Sequence, residues 1–323
     1  MSQLLSSIKK KKVEAENNKK RKGLSRAMRD DIEFLLLCIP ALIFIIIFAY
    51  IPMGGAIVAF KDFNPRKGVM ASEWVGLDNM MFFFKSQDAA RTIRNTLFYS
   101  FDFLFVELIV GVTFALLLYH MKAKTPLKVY HTTILMPRFI SINIVAFMAY
   151  SILSPGYGVL NQLIQAFGGE PIMWYSEPQY WPLILTIVHV WQVAGSGSLY
   201  YYSSLMAIDK SLFEAAAIDG AGTVKQCLHV AIPHLIPIMT MMTILGLGGI
   251  FSGSLGLSRQ VTMQMGDLFE TVDIINYYTY RALLGGRLTQ SAAVGLFQNV
   301  VGLILVVTVN KIVQKISPEN SMF

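Results

Sequence analysis

The chain is predicted to be an all-α membrane protein that crosses the bilayer six times, and three observations predict it. Hydrophobic residues make up 54% of 323 and charged ones only 15%, the balance of a membrane protein and not of a soluble one. Six apolar segments, near 33–53, 94–118, 130–153, 181–205, 237–257 and 289–311, are each long enough to cross about 30 Å of hydrocarbon. Basic residues collect where a cytoplasmic N-terminus would put them: ten Lys and Arg precede Asp31, and Lys122, Lys124 and Lys128 share the second connection.

Each element follows in order. Residues 1–32 read as a basic cytoplasmic tail, too polar for a signal peptide because no apolar core begins before Phe34. Its cations can touch anionic headgroups at about 1 kcal/mol each. Topology therefore explains the net charge of +7, and no nucleic-acid partner is expected. The transmembrane domain occupies 33–312. Its first external connection carries Lys61, Arg66, Lys67, Lys85, Arg91 and Arg94, offset by Asp62, Glu73, Asp78 and Asp88. Six crossings return the C-terminal tail, 313–323, to the cytoplasm. The same parity places the loop at 206–236 there too.

That loop is the most informative stretch of the chain. Glu214 to Pro233, EAAAIDGAGTVKQCLHVAIP, is mostly polar and turn-punctuated between two apolar spans. Ser211-Leu212-Phe213-Glu214 fits a capping box, and Ala215-Ala216-Ala217 continues the helix. Gly220 can close that helix in the left-handed conformation, Thr223 can cap the next one, and Pro233 with Pro237 marks entry into the fifth span. A helix, a tight turn and a second helix make an L-shaped knob.

The stretch resembles the EAA loop of ABC importer permeases, E-A-A-x3-G-x9-I-x-L-P, through Glu214, Ala215, Ala216, Gly220 and Pro233. Val230 and Ile232 stand where Ile and Leu are usual, and Cys227 where a large aromatic is common. The resemblance implies the six-helix type I importer fold, in which the knob is a coupling helix docked on a cytoplasmic ATPase. It also implies that Asp219 and Ala221 belong to the docking surface. A second resemblance is to permeases that import oligosaccharides or polysaccharide fragments. It rests on Ala59 to Pro65, Trp74 to Leu77, Arg94 to Leu97, Met136 to Ser141, Gly156 to Asn161 and Tyr278 to Arg281.

Polar residues at membrane depth face the bundle interior or a water-filled path. The fourth span carries His189, Trp191, Gln192, Ser196, Ser198 and Tyr200, a mixture that suits sugar hydroxyls and ring faces as well as interhelical contacts. In the fifth, Gly246, Gly248, Gly249, Ser252, Gly253 and Ser254 either let helices approach closely or leave room for a wide solute. Arg138, Asn143, His189, Trp191, Gln192, Ser196 and Ser252 form the candidate substrate path. Glu107 lies about 17 Å of helix from the inner end of the second span and Arg138 about 12 Å from that of the third. Three readings stay open: the two pair, Arg138 snorkels to the cytoplasm, or Arg138 meets an anionic sugar. Asp102, nearer the outside, is expected to be solvated.

Chemistry on the chain itself is not expected. Cys38 and Cys227 both face the reducing side, so no disulfide is predicted. His120, His131, His189, His229 and His234 form no recognisable ligand cluster, and no metal is predicted. No G-x-x-x-x-G-K-[ST] loop is present, which leaves ATP and Mg to partner subunits. The resemblance implies a multi-pass permease of a bacterial cytoplasmic membrane acting with a second permease, two ATP-binding subunits, an extracellular solute-binding protein and an oligosaccharide. Another polar solute, such as a peptide or phosphonate, is the alternative cargo. A secondary transporter would show an inverted repeat, and none is seen. An enzyme would need a nucleophile–base pair or metal cluster, and neither is present.

Overall fold

The computed structural model describes residues 35–121, 124–251 and 253–318; the basic tail, Ser252 and residues 319–323 lie outside them. Two compact units divide the chain, the first ending at Ile57. The described part of the first unit is apolar helix, within α1 (Leu35–Phe60). At Ile46–Tyr50 that helix widens into a π turn just before Pro52. A wide turn ahead of a proline relieves the clash between its ring and the carbonyl four residues back, where no N–H exists to bond.

The second unit opens with a hairpin of β1 (Lys61–Asp62) and β2 (Glu73–Trp74), antiparallel with Lys61 opposite Trp74. Lys61 is buried, and its Nζ donates to the Met70 and Ser72 carbonyls at 2.8 and 3.3 Å. Then come α2 (Asp78–Lys85), α3 (Gln87–Tyr119), α4 (Lys124–Leu135), α5 (Ile142–Leu153) and α6 (Val159–Ala166). The rest is α7 (Trp181–Met206), α8 (Lys210–Ile218), α9 (Thr223–Gly248), α10 (Ile275–Leu284) and α11 (Leu288–Ile316). Helices α3 and α7 form the largest packed pair, with Gly111 against the Tyr201 ring and Gly197 against Glu107.

Among the described residues five helices are long and apolar enough to cross a membrane singly, and the third expected span is broken. Helix α4 tightens into a 3-10 turn at Met136–Phe139, where Pro137 has no N–H, and α5 leaves at 96°. The Ile140 carbonyl exposed by the break accepts a hydrogen bond from Gln192 Nε2 on α7 at 3.1 Å. The second span begins at Gln87 instead of 94, because Asp88, Arg91 and Arg94 make its first turns helical but polar. Nor does the fifth wait for Pro237. A π turn at Cys227–Ala231 ahead of Pro233 lets one helix run from Thr223 to Gly248. The arrangement repeats the π-turn-then-proline order of α1.

Candidate functional site

The knob is α8, the turn after it and the first turns of α9. The structure corrects its expected start, for the cap is Asp209 and not Ser211. Asp209 has extended backbone (φ −63°, ψ 125°) and accepts the Ser211 amide at 3.0 Å. That hydrogen bond holds its carboxyl below the usual range. Ser211 is already inside the helix, so Glu214 has no cap to reach back to. Its exposed carboxylate makes no hydrogen bond or ion pair among the described residues. Gly222, not Thr223, sits at the N-cap of the second helix.

The closing turn agrees with expectation. Gly220 has φ +79°. The Ala221 amide donates to Ala216 O at 2.9 Å and the Gly220 amide to Ala217 O at 3.0 Å, which is a Schellman motif. Around it stand exposed apolar side chains, Ile218 at 87% and Val224 at 72% exposure, while Asp219 is exposed and Ala221 half-buried. Ala215 and Pro233 are exposed and Ala216 half-buried. The inner side rests on the end of α3, with Phe213 against Tyr119 (centroids 5.4 Å apart) and Cys227 Sγ 3.8 Å from His120 Nε2. A small thiol at 227 thus leaves space that the His120 ring occupies.

The candidate path residues do not converge on one site. Glu107 meets His189, not Arg138, with Oε2 and Nε2 3.5 Å apart. His189 also stacks on Phe103 at 4.0 Å, and its buried Nε2 has no aligned hydrogen-bond partner. The expected Glu107–Arg138 pair fails because α3 turns Glu107 toward α7, whereas Arg138 is exposed in the 3-10 turn of the broken span. Glu107 lines a cavity of about 160 Å³ with Gly197, Tyr200, Tyr201, Met242 and Gly246. Ser196 Oγ and Ser198 Oγ bond back to their own helix at 2.7 Å, and Trp191 is 41% exposed. Gln192 caps the break. Asn143 lies exposed on α5, and Ser252 lies outside the described residues. Asp102 is not simply solvated, since it accepts a hydrogen bond from the Thr186 hydroxyl. In the fifth span a Cβ added at Gly246 would sit 2.5 Å from Leu104 Cδ1, so that glycine serves close packing.

The end of the bundle opposite the knob holds a cluster that the sequence did not announce. Helix α7 runs into the knob and α9 runs out of it, so residues after Gly248 stand at the far end. There Asp273, fully buried, accepts from Arg91 Nη2 at 2.9 Å and from Arg281 Nη2 at 2.5 Å. Burial pushes the Asp273 carboxyl above its usual range, and the Arg281 and Arg91 charges offset part of that. Arg94 and Asn95 donate to Glu270 O at 2.9 and 3.0 Å, and Thr96 Oγ1 accepts the Ile275 amide at 2.8 Å. The Arg94-to-Leu97 and Tyr278-to-Arg281 signatures therefore belong to one clamp between α3 and the segment before α10. A lone Asp among Val272, Ile274 and Ile275 was the signal available for it. Asn161, which ends another signature, accepts from Ile172 N and Trp174 Nε1, both at 3.0 Å.

Among the described residues no group of three or more His, Cys, Asp or Glu side chains could hold a metal. No family model matches the chain. The chain is 34% identical to Protein LplB of Bacillus subtilis (strain 168), over 92% of this chain and 94% of that protein. It is 31% identical to the polygalacturonan/rhamnogalacturonan transport system permease protein YteP of the same strain, over 93% of each. A solved bacterial ABC transporter involved in the import of the acidic polysaccharide alginate superposes with a TM-score of 0.81 at 29% identity, covering 91% of this chain and 99% of that one. The chain is a multi-pass inner-membrane protein and no enzyme, and it belongs to the family of permease subunits of carbohydrate ABC importers.

Proposed function

We propose that this permease forms one half of a path for an acidic oligosaccharide and works with a second permease, two ATP-binding subunits and an extracellular solute-binding protein. The observation that carries the reading is the knob, whose exposed Ile218 and Val224 flank a rigid Schellman turn while Phe213 and Cys227 rest on α3. An apolar crest of that kind favours burial in a partner's cleft. A push on the crest then reaches α3 through packed side chains. Nucleotide and Mg are bound by the partner ATPases, and Glu214, Ala215, Ala216, Asp219, Gly220, Ala221 and Pro233 are the coupling residues. Nucleotide binding shifts a population of inward and outward states that differ by only a few kcal/mol.

The acidic cargo is supported by two relatives, one named for polygalacturonan and one solved with an alginate pentasaccharide-bound periplasmic protein. Both termini are cytoplasmic in this reading, the knob is at the cytoplasmic end and the Asp273 cluster is outside. Both the basic tail and membrane parity support that orientation. Glu107, His189, Trp191 and Tyr200 then lie along the path. The test is to reconstitute the permease with its partners in proteoliposomes and measure ATP hydrolysis with the solute-binding protein and a panel of oligosaccharides. Stimulation by uronate oligomers is expected. Stimulation by neutral oligomers alone would remove the acidic cargo, and no saccharide response at all would remove the coupling scheme.

A further inference from the structure

We infer that a recess at the end of the bundle opposite the knob is a receiving site for the carboxylate of a uronate residue, with Arg259 as its charge; the inference rests on the acidic cargo proposed above. The recess is a cavity of about 400 Å³ between α5 and the turn Leu257–Val261. That volume falls within the range of about 300–1,000 Å³ typical of small-molecule sites. Asn143, Phe147, Arg259, Gln260, Met263 and Gln264 line it.

Three independent features point to a ligand. First, Arg259 differs from the two arginines that hold Asp273. Arg91 and Arg281 both spend their charge on Asp273, whereas Arg259 has no carboxylate within ion-pair reach among the described residues. Its guanidinium is held 4.4 Å over the Tyr280 ring instead. Stacking fixes the plane of the fork and leaves its edge free, the geometry in which Arg takes a carboxylate with two parallel hydrogen bonds. Second, Gln260 Oε1 is buried without a hydrogen-bond partner. A buried acceptor left unmet costs free energy, which a donor such as a sugar hydroxyl would recover. The exposed Asn143 carboxamide lines the same recess, and Phe147, 64% exposed, offers an apolar face to a ring.

Third, the backbone around these groups is held in uncommon states. Leu257–Val261 is a π turn, and the next two non-glycine residues but one, Met263 and Gln264, have φ of 52° and 58°. Such conformations persist only where the surroundings enforce them, and they gather at ligand sites. Here the Thr262 hydroxyl bonds Ser258 O at 2.7 Å and the Gln264 amide bonds Arg259 O at 3.1 Å, which fastens the turn that carries Arg259 and Gln260. The site is thus preformed, with one cation and three carboxamides.

The reconstituted full complex tests it, at saturating solute-binding protein. ATP hydrolysis is titrated with oligogalacturonate and oligoalginate, and with the same oligomers after their carboxyl groups have been reduced to alcohols. Arg259→Gln should raise the half-saturating concentration of the acidic oligomers by about tenfold or more, the loss of one charge-assisted contact. The shift for the reduced oligomers should be much smaller. Arg259→Lys should recover part of the loss, and Gln260→Leu should weaken acidic and reduced oligomers alike. Equal shifts for both oligomer types in Arg259→Gln would overturn the site while leaving the acidic cargo standing. So would a fall in co-purified second permease without discrimination between them, because Arg259 would then be answering a carboxylate of that subunit. Wild-type complex that responds only to neutral oligomers would overturn the acidic cargo itself, and the site with it.

Discussion

The two ends of the bundle are built by different means. At the knob, every feature that sets the backbone is local: an Asp209 carboxylate two residues from the amide it caps, and a Gly220 turn closed within six residues. Its Ile218 and Val224 side chains point outward. At the far end Arg91 and Asp273 meet across 182 residues, and Thr96 and Ile275 across 179. Tyr277, 5.3 Å from the Arg281 guanidinium, belongs to a buried cluster with Trp174, Trp181 and Leu268. The contrast teaches that the knob takes its backbone shape from its own neighbouring residues, as the coupling role proposed for it would need, while the far end is tied to several elements at once. In a membrane, where lipid is as apolar as leucine, such polar ties and close packing hold helices together in place of the hydrophobic effect.

The sharpest way to break the contrast is at Asp273. Asp273→Leu takes from Arg281 its carboxylate partner and leaves Arg91 with Asp88 alone, both part-exposed, and should cost about 3 kcal/mol, the low end for a broken buried pair. A thermal-unfolding series in detergent should show a large drop, and Arg91→Gln with Arg281→Gln in the same background should recover some of it. An unchanged melting curve would show that the far end does not depend on its ion cluster.

Gln192→Ala sharpens the assignment of the broken span. If its amide mainly caps Ile140, the mutation should destabilise by about 1 kcal/mol, the cost of losing a hydrogen bond to a part-buried carbonyl. Transport per folded complex should then be retained. Loss of transport with normal stability would instead return Gln192 to the cargo path.

At the knob, smaller effects on stability should have larger effects on work. Gly220→Val opposes the left-handed turn by about 1–2 kcal/mol. Insertion and the melting of the far end should survive, yet oligosaccharide-stimulated ATP hydrolysis should be lost. Normal stimulation would sever the link between turn geometry and coupling.

The smallest effect separates two caps. Asp209→Ala should fray the start of α8, seen as faster amide exchange at Ser211 and Leu212, whereas Ser211→Ala and Glu214→Gln should leave exchange there unchanged. Glu214→Lys should still impair coupling, through the docking surface and not through the helix. If Ser211→Ala frays the helix as much as Asp209→Ala does, the capping box is restored.

The sequence by itself determined the helical membrane class, the six apolar segments, the knob, its Gly220 turn and, through resemblance, the family. Those features are carried by composition, by runs of neighbouring residues or by one glycine whose conformation few other residues can adopt. It misjudged the details at which a local signal had a competitor. Asp209 lay two residues before the Ser-to-Glu spacing, and Pro233 with Pro237 marked an entry into the fifth span that the helix, widened by the π turn at Cys227–Ala231, had already passed. Only the tertiary structure decided which distant charges meet. Glu107 faces His189 because α3 and α7 pack along their length, and Arg138 is turned away by the 96° break in the third span. Asp273 joins Arg91 and Arg281 because α3 reaches the segment before α10, and Arg259 stacks on Tyr280 with no carboxylate partner among the described residues. Depth along a helix can be counted from residue number, but azimuth and partner depend on how helices pack, and no run of neighbouring residues encodes that.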